Sequence, residues 1–505
     1  MTTSLRPYAA IWLFVLAVKA GLFWLAGDRY GYMSDEMYFL DAAARPAWGY
    51  VDFPPLLPWL LGTLRLESLL ALRALATAIG AGVTLVGVDL CRILGGGPWA
   101  AFLVAVVLLF APGFLSVQSI MTMNVLDQLW WLAAFWLAAR QAQTGAWRHM
   151  VGLGAVLGLG LLTKLSILAL CAALPLAWLI WNRGAFRAVS TWVAAGLALA
   201  LVAPFLAWQV ASDWPLLDFV AAYHNTSPRA LVLQHPLLGM VLTMNPGYAL
   251  IWGPGAVYAL WARDHALRML GTAAWLCLLL FVLAGVKFYF AVPVFGLFAV
   301  AGALFWQQCL QNRLPLWRWA LVALGLSGAA AVPAAAPVLP DAWLQQAVRY
   351  LRDGEQGYPG QGPADLERYF PHFAEMHGWP ELVVLTADAW EALDDAQRRG
   401  AVLMASHYGQ AGALNHLDRD DRLPEAHGRH MSYHLWSRGL PIDHGLFVGF
   451  SADELRPLFA TVEELGQLQC RGCMARERGL RIYYVADPRV AAAVIRDRLR
   501  RYDFF

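Results

Sequence analysis

The chain has 505 residues, 59% of them hydrophobic and only 14% charged, with a mean hydropathy of +0.50. A soluble protein carries charge on about a quarter of its residues, so most of this chain belongs in a bilayer. A formal net charge of +2 offers no argument for nucleic acid as a partner, and six cysteines are too few for a disulfide scaffold.

Eleven apolar stretches approach the roughly 20 residues that cross about 30 Å of hydrocarbon. They are 8–26, 70–92, 98–117, 124–140, 148–163, 165–182, 189–209, 247–262, 268–285, 288–306 and 318–337. The first is long for a signal-peptide core and lacks a small-x-small cleavage site, so it reads as an uncleaved span. The two stretches on either side of Lys164 can also be drawn differently.

Arginines fall in alternate short loops: Arg92, then Arg140 and Arg148, Arg183 and Arg187, Arg263 and Arg268, Arg313 and Arg318. By the positive-inside bias these loops face the cytoplasm. The opposite side then carries residues 27–69, 210–246 and everything after about 338. A membrane domain over 1–338 is therefore followed by a soluble domain over 339–505.

That tail is rich in Asp, Glu, Arg and His. Strand-like runs occur at Leu382–Thr386, Val402–Ala405, Leu446–Phe450 and Arg481–Val485. Helical or turn-rich pieces are expected at Asp453–Leu468 and Pro488–Tyr502, which together give a small α/β domain.

The loop after the first span holds Ser34, a helix cap, followed by Asp35 and Glu36 in a first turn that favours acids. The helix should end before Pro46, and Pro54-Pro55 should start a second interfacial segment. Two adjacent carboxylates that merely cap a solvated helix would be unremarked; at membrane depth they are costly without a purpose.

These residues resemble glycosyltransferase family 39, the branch of the GT-C fold that includes protein O-mannosyltransferases and the lipid A aminoarabinose transferase. The likeness runs through Asp35-Glu36, Tyr38, Gly49-Tyr50 and Asp52-x-Pro54-Pro55-Leu56 in the first outer loop. It continues through Met123–Gln128, Gly160–Lys164, Gly285–Tyr289, His407–Ala413 and Ser432–Trp436. Phe53 departs from it, because many members carry a basic or imidazole residue before the proline pair.

The resemblance implies a polytopic GT-C enzyme that moves a sugar from a polyprenyl phosphate donor to a hydroxyl of a glycan, lipid or protein acceptor, with inversion. The attacking hydroxyl must lose a proton, so a carboxylate is needed as general base. Asp35 is assigned that role, Glu36 orients acceptor or sugar, and Asp127 brings a second carboxylate. The leaving phosphate needs cations, and Lys164, Lys287 and Arg229 are the candidates, although both lysines would also suit a snorkelling role. Tyr38, Tyr50, Asp52, Pro54 and Pro55 form the substrate loop.

A divalent ion shared by Asp35, Glu36 and Asp127 stays open, as no DxD signature is present. Cys470 and Cys473 have the spacing of a disulfide, a redox pair or half a zinc site; His407, His416, His427, His430 and His434 read as a polar surface or binding loop, with zinc as the alternative. The family implies a bacterial inner membrane, with the site and tail on the periplasmic side. The rival readings are a lipid or sugar flippase, which should show two related halves of interrupted spans, and a non-catalytic scaffold.

Overall fold

A computed structural model describes residues 6–226, 236–310, 315–354, 365–470 and 472–503. Arg229 and Arg313 lie outside the described residues.

All eleven apolar stretches fall on helices, because no water is available there to satisfy an open backbone. In chain order the first half contains α1 (Arg6–Ala26), α2 (Ser34–Ala44), α3 (Leu56–Leu64), α4 (Leu69–Ile93), α5 (Pro98–Phe110), α6 (Pro112–Leu115) and α7 (Met123–Thr144). Then come α8 (Trp147–Leu161), α9 (Leu168–Trp181), α10 (Val189–Ala211), α11 (Pro215–Thr226) and α12 (Pro236–Thr243). The bundle closes with α13 (Ala249–Trp261), α14 (His265–Ala284), α15 (Val292–Leu310), α16 (Pro315–Ser327) and α17 (Val332–Ala335).

Among the described residues six helices are long and apolar enough to cross a membrane, or seven if α5 and its continuation through Gln118 count as one span bent by 62°. The bend sits at Ala111, held extended ahead of Pro112. The other apolar helices, such as α9 and α13, are shorter. The protein is therefore a multi-pass membrane protein.

The arginine loops gather at one end of this bundle. Gln143 at the end of α7 donates to the Ile93 carbonyl at 2.8 Å, Gln307 of α15 receives Gly97 N–H at 2.6 Å, and the Arg268 guanidinium lies 4.9 Å over Trp181. At the other end, Leu56 N–H reaches the Leu162 carbonyl at 2.9 Å and joins the first long loop to the turn that carries Lys164.

The C-terminal region begins with α18 (Asp341–Gly354), α19 (Asp365–Tyr369), α20 (Pro371–Ala374), α21 (Trp379–Glu391) and α22 (Asp395–Arg398). Next come β1 (Val402–Ala405), α23 (Tyr408–Leu417), β2 (Ala426–Gly428), α24 (Ser432–Trp436), β3 (Gly445–Val448), α25 (Ala452–Leu455), β4 (Phe459–Gln467), β5 (Arg481–Pro488) and α26 (Ala492–Leu499). The sheet order is β2-β1-β3-β5-β4; β1 is parallel to β2 and β3, and β5 runs antiparallel to β3 and β4.

Two expectations are corrected. Leu382–Thr386 is not a strand but part of α21, since Trp379, Leu382, Val383, Thr386 and Ala387 are buried at helical spacing behind Pro380 in the first turn. Asp453–Leu468 is only briefly helical: α25 stops at Leu455, and β4 follows because β5 supplies it with a partner edge.

Alternation along β1 explains how the domain is seated. Val402 and Met404 face a core with Phe447, Phe459, Ile495 and Leu499. Leu403 and Ala405 point the other way, into a cluster that also contains Met37, Tyr38, Phe39 and Phe53 of the first outer loop. Thus α2 is part of the hydrophobic core of the C-terminal domain. The boundary at 338 separates segments of sequence, while the apolar packing runs across it.

Close approach makes this possible. A Cβ added to Gly412 of α23 would lie 2.7 Å from Met37 Cβ, and one added to Gly409 would lie 2.9 Å from Ser34 Cβ. Asp41 of α2 fixes the other end: it accepts from Asn415 Nδ2 at 3.0 Å and from the Tyr433 hydroxyl, and pairs with Arg45 at 3.0 Å.

Candidate active site

Helix α2 starts one residue earlier than its sequence implies. Met33 is the N-cap, and Glu36 Oε2 accepts the Met33 N–H at 2.9 Å, a capping contact. Ser34 does not cap; its hydroxyl donates to Glu375 Oε2 at 3.0 Å, because the residue that ends α20 offers a tertiary acceptor. The second Glu36 oxygen accepts Met121 N–H at 2.9 Å, and the side chain is wholly buried. Glu36 thereby braces α2 against the segment before α7, a use of both oxygens that differs from the acceptor-orienting role assigned from sequence.

Asp35 points elsewhere. Its Oδ1 accepts the Tyr408 hydroxyl at 2.8 Å. Tyr408 is held between rings, 4.8 Å from Tyr38 and 5.2 Å from His430 in stacked geometry. Burial raises the pKa of the Asp35 carboxyl, while the Tyr408 bond, Lys287 and Arg476 pull it back down.

The substrate loop divides in two. Tyr38 donates to Asp52 Oδ1 at 2.8 Å, accepts Ser432 N–H at 2.9 Å and meets Ser432 Oγ at 2.8 Å. Burial pushes the Asp52 carboxyl up to about 7, with the Asp35 charge adding to the rise and the Tyr38 bond opposing it. Tyr50 is structural, as its hydroxyl serves the carbonyls of Ala42 and Arg45 at 2.8 and 3.0 Å and closes the end of α2. Pro55 is the N-cap of α3.

Asp52 and Pro54 line a cavity of about 220 Å³ together with Lys164, Lys287, Tyr289 and Phe290. Lys164 is 4% exposed, and its ammonium lies 4.6 and 4.0 Å from the ring centroids of Tyr289 and Phe290. Asn124 accepts from it at 2.7 Å, and Asp127 Oδ2 stands 4.0 Å away. Asp127 also accepts the Ser166 hydroxyl at 2.7 Å, so it sits behind Lys164 and holds it. Gly285, at φ 62°, ends α14 in the left-handed conformation and lets the chain turn to present Lys287.

The cavity shares Leu165 and Leu216 with a second one of about 690 Å³, which runs between α8, α9 and α10. Leu157, Leu161, Val202 and Phe205 are among its almost wholly apolar walls. A cavity lined by two lysines therefore lies beside an apolar groove and shares two wall residues with it.

Asp35, Glu36 and Asp127 do not converge: each has the separate partners described above, and among the described residues no three His, Cys, Asp or Glu side chains are grouped to hold a metal ion. Adjacent residues on a helix point about 100° apart, and Glu36 is turned to backbone donors. The histidines do not form a polar surface either. His407 and His430 are buried with ring centroids 4.6 Å apart, and burial pushes His430 down to about 3 and His407 well below the ordinary imidazole value. His416 instead faces Asp41 at 3.5 Å. Cys470 and Cys473 are joined as a disulfide.

Three contributors were not singled out from sequence. Glu375, Arg476 and the Tyr408 hydroxyl all come from the C-terminal domain: Arg476 lies 3.8 Å from Glu375 Oε1 and 3.2 Å from Glu477 Oε1, and burial raises the Glu375 carboxyl with Asp35 adding to the effect. Tyr408 lay in a quoted motif, but nothing local marks Glu375 or Arg476.

A family model described as dolichyl-phosphate-mannose-protein mannosyltransferase matches residues 52–208. No curated protein sequence matches this chain. Among solved structures, ArnT from Cupriavidus metallidurans in the apo state is similar at 15% identity and a TM-score of 0.60, covering 94% of this chain and 97% of that one. The same protein bound to undecaprenyl phosphate gives 14% identity and a TM-score of 0.58 with the same coverage. The chain has the GT-C fold that its motifs implied.

Proposed function

We propose that this GT-C chain is a membrane glycosyltransferase that takes a sugar from a polyprenyl phosphate and passes it to a hydroxyl acceptor. The observation that carries the reading is the adjacency of the two cavities: two lysines and a carboxylate line one, and the apolar groove shares its wall at Leu165 and Leu216. A polyprenyl phosphate has that same division, an anionic head on a long apolar tail. The mannosyltransferase family match and the solved ArnT–undecaprenyl phosphate complex support it.

In this reading the donor phosphate rests between Lys164 and Lys287, whose charges offset the negative charge that grows as the anomeric bond breaks. Asn124, Asp127 and the two aromatic rings hold Lys164 in place. Asp35 accepts the proton of the attacking hydroxyl, and Asp52 holds a sugar hydroxyl from the cavity wall. Arg229 remains a candidate third cation. A bacterial inner membrane is the setting that the family resemblance implies, and the arginine distribution favours an orientation with this end of the bundle and the C-terminal domain on its outer side.

The test compares cell-envelope glycans and lipids by mass spectrometry, with the wild-type protein and with Asp35→Asn. A sugar-bearing product should vanish in the variant while the protein still binds polyprenyl phosphate. Identical products in both would overturn the transferase reading and favour a flippase or scaffold.

A further inference from the structure

Asp35 lies on a membrane-domain loop, yet the groups that set its charge come largely from the other domain. Tyr408 of α23 donates to it at 2.8 Å. Its neighbour Ser34 is bound to Glu375, which follows α20, and Arg476 stands 3.8 Å from that same carboxylate. Arg476 is itself held at 3.2 Å by Glu477, whose other oxygen accepts Gln410 Nε2 at 2.9 Å. The arrangement is a chain from the sheet domain, through Gln410, Glu477, Arg476 and Glu375, to the residue beside Asp35.

We propose that Glu375 and Arg476 are positioning residues for Asp35, an ion pair by which the seated C-terminal domain sets the charge state of the reactive carboxylate. The proposal rests on the assignment of Asp35 as base. It goes beyond it by making a soluble-domain pair the regulator of that base. A carboxylate close to Asp35 opposes its ionisation, and a guanidinium favours it. The two residues therefore act in opposite directions, which a purely structural brace would not do.

The titratable and charged neighbours of Asp35 among the described residues come from several elements. From α2 there is Glu36, and from the loop that follows it Asp52. Lys287 comes from the turn before α15. Tyr408 comes from α23, Glu375 from the residue after α20, and Arg476 from the segment before β5. His407 and His430 also feel Arg476, but both are held neutral by burial and carry no compensating charge.

Dicyclohexylcarbodiimide, which adds to protonated buried carboxyls, reads Asp35 without any need for turnover. The full-length protein in lipid nanodiscs is labelled across pH 4 to 9, and the Asp35 peptide is quantified by mass spectrometry, with Asp35→Asn as blank. Arg476→Gln should move the labelling midpoint up by about one pH unit, and Glu375→Gln should move it down by a similar amount. Arg476→Lys should stay near wild type. Midpoints that do not move, or that move in the same direction in both variants, overturn the proposal. If Arg476→Gln fails to fold, Glu375→Gln alone decides: a downward shift supports the pair, and no shift overturns it. Midpoints that shift as expected in a protein with no sugar transfer would remove the transferase reading and leave the pair intact. Asp35-dependent transfer with fixed midpoints would do the reverse.

Discussion

The Tyr408 hydroxyl donates to Asp35 Oδ1 at 2.8 Å across 373 positions of sequence. One residue belongs to the first outer loop of the bundle and the other to the first helix after the start of the sheet. Their bond means that the candidate base is complete only when the C-terminal domain is in place.

Tyr408→Phe tests that bond. Loss of a hydrogen bond to a charged group lowers kcat/KM by about tenfold or more. Because the Tyr408 donor favours the Asp35 carboxylate, its removal should also shift the acid limb of the rate profile to higher pH. A rate profile that keeps its limb would show that Tyr408 only fills space.

Lys164 and Asp127 should behave as a unit. Lys164→Met leaves Asp127 buried without its cation, and breaking such a pair costs about 3 kcal/mol. The double variant Lys164→Met with Asp127→Asn should recover most of that stability, measured by thermal unfolding in detergent, while transfer and polyprenyl phosphate binding stay low. Recovery of binding in the double variant would remove Lys164 from the phosphate site.

Asp52 gives a stability signature. Its folded pKa of about 7 lies above the unfolded value of about 3.9, so the folded chain keeps a proton that the unfolded chain has shed. The sign follows: this group's contribution is full below about pH 4 and is lost as the pH rises to about 7. Wild type should lose stability over that window relative to Asp52→Asn, as followed by unfolding temperature. Parallel curves for the two proteins would contradict the raised value.

Gly412→Leu tests the contact between α2 and α23. Even a Cβ there meets Met37 at 2.7 Å, so a larger side chain must push the helices apart at a cost of about 1–3 kcal/mol. Faster proteolysis between the bundle and the sheet domain, with sharply reduced transfer, is the expected outcome. Wild-type activity at this position would mean that the seating of α2 is not needed.

The bundle was legible because its cause is local: each apolar run must satisfy its own backbone in hydrocarbon, and each run became a helix. The strands at 402, 446 and 481 were legible as short apolar runs with turns on either side. Leu382–Thr386 was misread because a short apolar run carries no period of its own, and packing on α23 decided it. Within the site, the lysines were found because they were rare: Lys19, Lys164 and Lys287 are the only three in the chain. Glu375 and Arg476 could not be found that way, lying among many acids and arginines of an ordinary polar domain.

By itself the sequence determined the multi-pass bundle, the side on which its arginines gather, and the charged types available to a reaction. Only the tertiary structure decided which of those charges meet. It turned Glu36 to backbone donors, placed Asp127 behind Lys164, and brought Glu375, Tyr408 and Arg476 around Asp35. Helix formation depends on neighbours a few residues apart, whereas a carboxylate's partners are set by the packing of segments hundreds of positions distant. No local pattern encodes that meeting.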